Sequence, residues 1–243
     1  MKSMHILTIT SLLPIAIAIS FLLHWITLFP IRTSSERLVL CRGAYIAFSF
    51  QLVLYSIALY WVGNRAHPFI IFAMLSSFMG DFFNLQFPDV KKKLGEPLAY
   101  GIGSFAIAQI FYLLALMEVT RWDKILSLPY SYLILIVLLI VPAIIFKFRV
   151  YNPSRPKIIM VSAFLYGILL CFLVALYLNS ALTFGGYWWL LVIGGGFFLL
   201  SDAVMGETTI HGGRHPRSEF QLPWFTYLIA QGFLILGFFA VSH

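Results

Sequence analysis

Asp81 and Asp202 are carboxylic acids inside segments that are otherwise almost wholly apolar, each behind a small residue, in Met79-Gly80-Asp81 and Leu200-Ser201-Asp202. A carboxylate in bilayer hydrocarbon costs at least roughly 2.5–3.5 kcal/mol, so an acid kept there is usually kept for function. Two such acids in unlike surroundings can divide into a general acid and an ionised base. That division suits a reaction that needs a proton delivered and a positive charge met. The plainer alternative is adhesion, since polar side chains inside a membrane bond helices together at about 0.6 kcal/mol each. An unpaired acid is an expensive adhesive, so chemistry is the stronger expectation for these two.

The elements that must position them are membrane helices. Of the 243 residues 61% are hydrophobic and only 10% charged, and the mean hydropathy is +0.93. Soluble chains hold about 45–50% and 25%, so this composition predicts a polytopic, all-α bundle. Apolar windows of about 20 residues, each long enough to span, fall near 6–29, 39–61, 68–87, 98–118, 128–147, 158–179, 186–206 and 222–241. The expectation is about eight transmembrane helices forming one integral membrane domain over 1–243. The first segment is too long for a signal peptide and ends in Phe29-Pro30 without a small-residue cleavage site, so it is read as a helix.

The net charge of +7 is an orientation signal rather than a nucleic-acid footprint. Twelve of the 16 basic residues fall in the loops near residues 32–42, 91–93, 147–157 and 214–217, whereas the intervening loops hold only Lys2, Arg65, Arg121 and Lys124. The positive-inside rule puts the richer set in the cytoplasm and both termini on the other side. The expected location is a bacterial inner membrane. Cys41 and Cys171 form no framework or metal spacing and read as small buried hydrophobes.

With this topology Asp81 and Asp202 both lie close to the cytoplasmic ends of inward-running helices, roughly 9 Å and 6 Å from the boundary at 1.5 Å per residue. Other polar groups enter the same layer. Gln109 and Tyr112 share a helix face at i and i+3, Tyr227 and Gln231 share one at i and i+4, and Asn84 lies three residues after Asp81. Ser201 adjoins Asp202, and Arg42 and Tyr166 approach from neighbouring helices. A polar cavity open to the inner leaflet is the economical picture, although Asn84, Ser201 and Gln231 taken singly serve as interhelical glue just as well. Gly101-Ile102-Gly103 and Gly194-Gly195-Gly196 follow no strand, so close helix packing is expected of them rather than phosphate binding. His211 and His215 flank a Gly-Gly-Arg turn, so no metal is expected, and no cofactor is implied.

Taken in order, Met79-Gly80-Asp81, the Gly-x3-Phe-x3-Gln-x2-Tyr run from Gly101 to Tyr112, Phe198-Leu199-Leu200-Ser201-Asp202 and Thr226-Tyr227-Leu228-Ile229-Ala230-Gln231 resemble the motifs of the YhhN family, the lysoplasmalogenases. The resemblance covers the third to eighth segments. It implies an eight-helix membrane hydrolase that cleaves the vinyl ether bond of a lysoplasmalogen to a fatty aldehyde and a glycerophospho-alcohol, with the chemistry on Asp81 and Asp202. One position departs, since family members often carry His where this chain has Gln109, and an amide cannot shuttle a proton.

The residues suit that chemistry on their own terms. Vinyl ethers hydrolyse through protonation at carbon and capture of an oxocarbenium ion by water. The depth order favours Asp81 as the donor and Asp202 as the base, with the reverse assignment open. The expected partners are a lysophospholipid substrate, its phosphate drawn to Arg42, and the bilayer itself. Two other readings stand beside this one. A proton-coupled transporter would also use intramembrane acids, and the small-Asp pairs do recur 121 residues apart. A lipid-binding protein descended from the enzyme would keep the acids as polar contacts.

Overall fold

The structure is a computed structural model that describes residues 35–62, 68–85, 88–125, 131–212 and 221–242. The first expected helix, 6–29, lies outside the described residues. Among those described, all regular structure is helical: α1 Ser35–Val62, α2 Pro68–Asn84, α3 Pro88–Leu94, α4 Pro97–Val119, α5 Trp122–Ile125, α6 Ser131–Ile145, α7 Lys157–Phe184, α8 Trp188–Met205 and α9 Gln221–Val241. Among the described residues five stretches are long and apolar enough to cross a membrane, namely Pro97–Val119, Ser131–Val150, Lys157–Phe184, Trp188–His211 and Pro223–Val241. Tyr45–Trp61 and Pro68–Asn84 are shorter apolar helices. Helices of this length, a form that satisfies its backbone groups internally, make the chain an integral membrane protein.

Two helices run on past their expected ends as π turns. α6 contains Pro142, which lacks an N–H for the hydrogen-bond ladder, and it continues as a π-helical turn, Phe146–Val150. α8 likewise continues as a π turn, Gly206–His211. The sequence pattern ends this helix near residue 206, because the polar run Gly206-Glu207-Thr208-Thr209 resembles a loop. Carrying the helix on to His211 leaves Asp202 farther from its end than expected. The three lysines expected in a loop at 91–93 belong to the short helix α3.

The bundle repeats one packing pattern. α1 packs on α2 and α2 on α4 in the first half; α7 packs on α8 and α8 on α9 in the second. The halves then cross, α4 against α7 and α9 against α1. The closest pairs need missing side chains. A Cβ on Gly101 would lie 2.2 Å from Asn84 Oδ1, and one on Gly194 would lie 3.0 Å from the Ala230 carbonyl oxygen. Small residues therefore set the helix separation, as expected for those two runs, although Gly103 and Gly196 have nothing within 4 Å.

Candidate functional site

Asp81 is sealed. It lies in the last turn of α2, 3% exposed, and its Oδ2 accepts a hydrogen bond from the Ser49 hydroxyl of α1 at 2.5 Å and another from the Tyr227 hydroxyl of α9 at 2.8 Å. Packing aims the second donor. The Tyr227 ring meets Phe105, Phe198 and Trp224 edge-on at centroid distances of 5.9, 5.6 and 5.6 Å, and Tyr45 stacks on Trp224 at 4.3 Å. Gly80 makes room for this arrangement, because a Cβ there would come 2.6 Å from the Phe105 ring. The Gly in front of Asp81 is thus a packing requirement of the site itself.

Asp202 is open by comparison. It lies half-buried on α8, and its Oδ2 accepts a hydrogen bond from the Tyr166 hydroxyl of α7. The two carboxyls are close enough for the charge of one to act on the other. Asp202 and Tyr166 form part of the wall of a cavity of about 90 Å3 between α4, α6, α7 and α8. Apart from Asn84, the rest of the wall is apolar, with Ile102, Phe105, Pro142 and Leu170 among it. A carboxyl held by a hydroxyl at the edge of an apolar space can give a proton to, or take one from, an apolar guest.

The sequence pattern anticipates one polar cavity, and the structure divides its residues in two. Among the described residues of the expected set, only Asn84, Tyr166 and Asp202 line the cavity. Behind it, Tyr112 donates to Gln231 Oε1, and both side chains are fully buried. Gln109 is buried with its amide beside Tyr166, although its Nε2 has no partner of good geometry. Ser201 donates to the Pro223 carbonyl at 2.8 Å and fastens the start of α9. Asn84 Nδ2 contacts Met205 Sδ at 3.3 Å, which ties the ends of α2 and α8 together. The division has a simple cause: buried hydroxyls and amides satisfy carboxyls and each other before they face open space. The side chain of Arg42 lies outside the described residues.

Ser49 and Phe105 are the site residues that the polar pattern misses. A signal for Phe105 does exist in the chain. Phe105-Ala106-Ile107-Ala108-Gln109 and Tyr227-Leu228-Ile229-Ala230-Gln231 share Ile-Ala-Gln and lie 122 residues apart, beside the 121 that separate the aspartates. Phe105 is therefore the counterpart of Tyr227, without its hydroxyl. Ser49 has no such signal, because a single serine in an apolar helix is unremarkable.

Among the described residues no three His, Cys, Asp or Glu side chains gather in a way that would hold a metal ion. His211 is instead within hydrogen-bonding distance of the Tyr151 carbonyl, Nδ1 to O 2.9 Å. Compared with known proteins, the chain matches the sequence model described as the YhhN family over residues 43–238. No curated protein and no solved structure matches it.

Proposed function

The chain belongs to the YhhN family, and from that premise we propose that it is a lysoplasmalogenase-type hydrolase, which opens the vinyl ether of a single-chain ether phospholipid inside the membrane. The observation that carries the reading is Asp202, held by Tyr166 at the wall of a largely apolar cavity with a second carboxyl behind it. Asp202 delivers a proton to the alkenyl carbon remote from the ether oxygen. The carboxylate left behind faces the oxocarbenium ion, and water adds to the carbon that bears oxygen while returning a proton to Asp202. The hemiacetal then falls apart to a fatty aldehyde and a glycerophospho-alcohol. Asp81 acts electrostatically, as a second carboxyl in range of the first. This reverses the donor expected from depth, because Asp202 and not Asp81 reaches the cavity.

The sidedness proposed with this reading puts the basic loops, and the end of the bundle near both acids, in the cytoplasm of a bacterial inner membrane, with eight spans in a single domain. Its test is aldehyde release from lysoplasmenyl-ethanolamine by the purified protein and by D202N and D81N. Loss of turnover in both, with expression and melting retained, supports it. Normal turnover in both sinks it. A carrier coupled to protons is the second reading, favoured by the repeated packing of the two halves. Flux into proteoliposomes driven by a proton gradient, without aldehyde release, would select it instead.

A further inference from the structure

One end of the cavity is closed by the two π turns. Phe146 and Val150 reach it from the turn after α6, Gly206 and Ile210 from the turn after α8. Val150 lies directly on Gly206, where a Cβ would come 2.9 Å from Val150 Cγ2. Across the same seam Arg149 Nη1 meets Glu207 Oε1 at 2.7 Å. The Arg149 side chain is 63% exposed and that of Glu207 22%, so the pair sits at the rim with its acid turned inward. Behind it Arg155 donates to the carbonyls of Thr209 and Ile210, at 2.6 and 3.3 Å, and Asn152 Nδ2 to those of Ile210 and His211, at 3.0 and 3.1 Å. Arg155 is thus committed to holding the turn, whereas Arg149 is held by one carboxylate.

Resting on the function proposed above, we infer that Arg149 is the phosphate subsite: its guanidinium exchanges Glu207 for the headgroup phosphate of the lipid whose alkenyl end lies at Asp202. The chemistry fits, because a carboxylate and a phosphate present similar paired acceptors to the guanidinium fork. The charge fits as well. Lys147, Arg149, Arg155 and Lys157 all fall in the stretch 147–157 that forms one side of this seam, so an arriving anion meets a basic segment. The spacing also agrees. Five residues separate Asp202 from Glu207, an axial rise of at most about 7.5 Å at 1.5 Å per residue. Five bonds of roughly 1.5 Å join the ether oxygen through glycerol to phosphorus, a zigzag of about 6 Å from end to end. Exchange of Glu207 for phosphate also releases the tie across the seam, so headgroup binding loosens the closed end of the cavity.

Binding to the full-length protein in nanodiscs tests this without turnover, using a saturated-ether lysophosphoethanolamine that cannot be hydrolysed, the alkylglycerol of the same chain, and inorganic phosphate. Wild type is expected to prefer the phospholipid over the alkylglycerol about tenfold, a difference of about 1.4 kcal/mol. R149A should abolish that preference and R149K should reduce it, while E207Q, which keeps Arg149 and removes its competitor, should strengthen phospholipid binding several-fold. A preference unchanged in R149A and in E207Q overturns the subsite, and so does phosphate binding to which the lipid chain adds nothing. The outcome separates from that of the reaction: Arg149-dependent binding without aldehyde release removes the reaction alone, and aldehyde release with Arg149-independent binding removes the subsite alone.

Discussion

Asp81 and Asp202 stand at corresponding places in two halves that pack alike, yet their surroundings differ by one hydroxyl and one cavity. Asp81 takes a donor from its own half, Ser49, and a second across the halves, Tyr227. Asp202 takes Tyr166 from its own half, and the residue that corresponds to Tyr227 is Phe105, which has no hydroxyl to give. Phe105 lines the cavity beside Asp202 instead. The comparison teaches how a duplicated arrangement acquires one fastened acid and one available acid. Two hydroxyls occupy a carboxyl and hold it; one hydroxyl orients it and leaves an edge free to react. Burying a polar group demands partners, so the sealed acid collects two donors and the half-buried one is satisfied with one.

The largest test of this asymmetry compares the acids themselves. Aldehyde release should fall about a thousandfold in D202N and about a hundredfold in D81N, since the first removes the transferred proton and the second a charge in range. Equal losses would erase the distinction drawn here. Next come the hydroxyls. Y166F should lower turnover about tenfold with little change in melting, because it frees the orientation of the reacting carboxyl. Y227F should act the other way round, costing about 1–2 kcal/mol of stability in thermal unfolding while turnover stays within about threefold, because it strips a donor from a buried acid.

Smaller effects sharpen the comparison further. F105Y gives the second half the hydroxyl that the first half has, and turnover should drop several-fold without loss of melting temperature as Asp202 comes to resemble Asp81. Q109H places an ionisable ring beside Tyr166, and a modest gain in aldehyde release is expected. No change in either variant would make these positions packing alone.

Much of the site was legible from residue types. The cost of an acid in hydrocarbon singles out Asp81 and Asp202, and depth places Tyr112, Tyr166, Tyr227 and Gln231 in one layer with them, without saying which of these groups meets which. What periodicity could not deliver was the sorting of those groups. Ser201 sits beside an acid in the chain but bonds the Pro223 carbonyl, because a helical neighbour at i+1 points to another face. Gln109 and Gln231 share a motif, but Gln231 accepts from Tyr112 whereas Gln109 only lies beside Tyr166. Ser49 became a site residue only when α1 was laid against α2. The two π turns also escaped, since Gly206-Glu207-Thr208-Thr209 has the composition of a loop and its helical course is held from outside by Asn152 and Arg155.

By itself the chain determined a helical membrane protein, the family it belongs to and the two acids at issue, because hydrophobic length, charge cost and ordered motifs are properties of residues in line. Only the tertiary structure decided which acid faces a cavity and which is sealed. That choice depends on side chains brought from α1, α7 and α9 to the two carboxyls, and on a phenylalanine standing where its counterpart is a tyrosine. Hydrogen bonds are short-ranged and directional, so their partners are set by how helices pack and not by where residues fall along the chain.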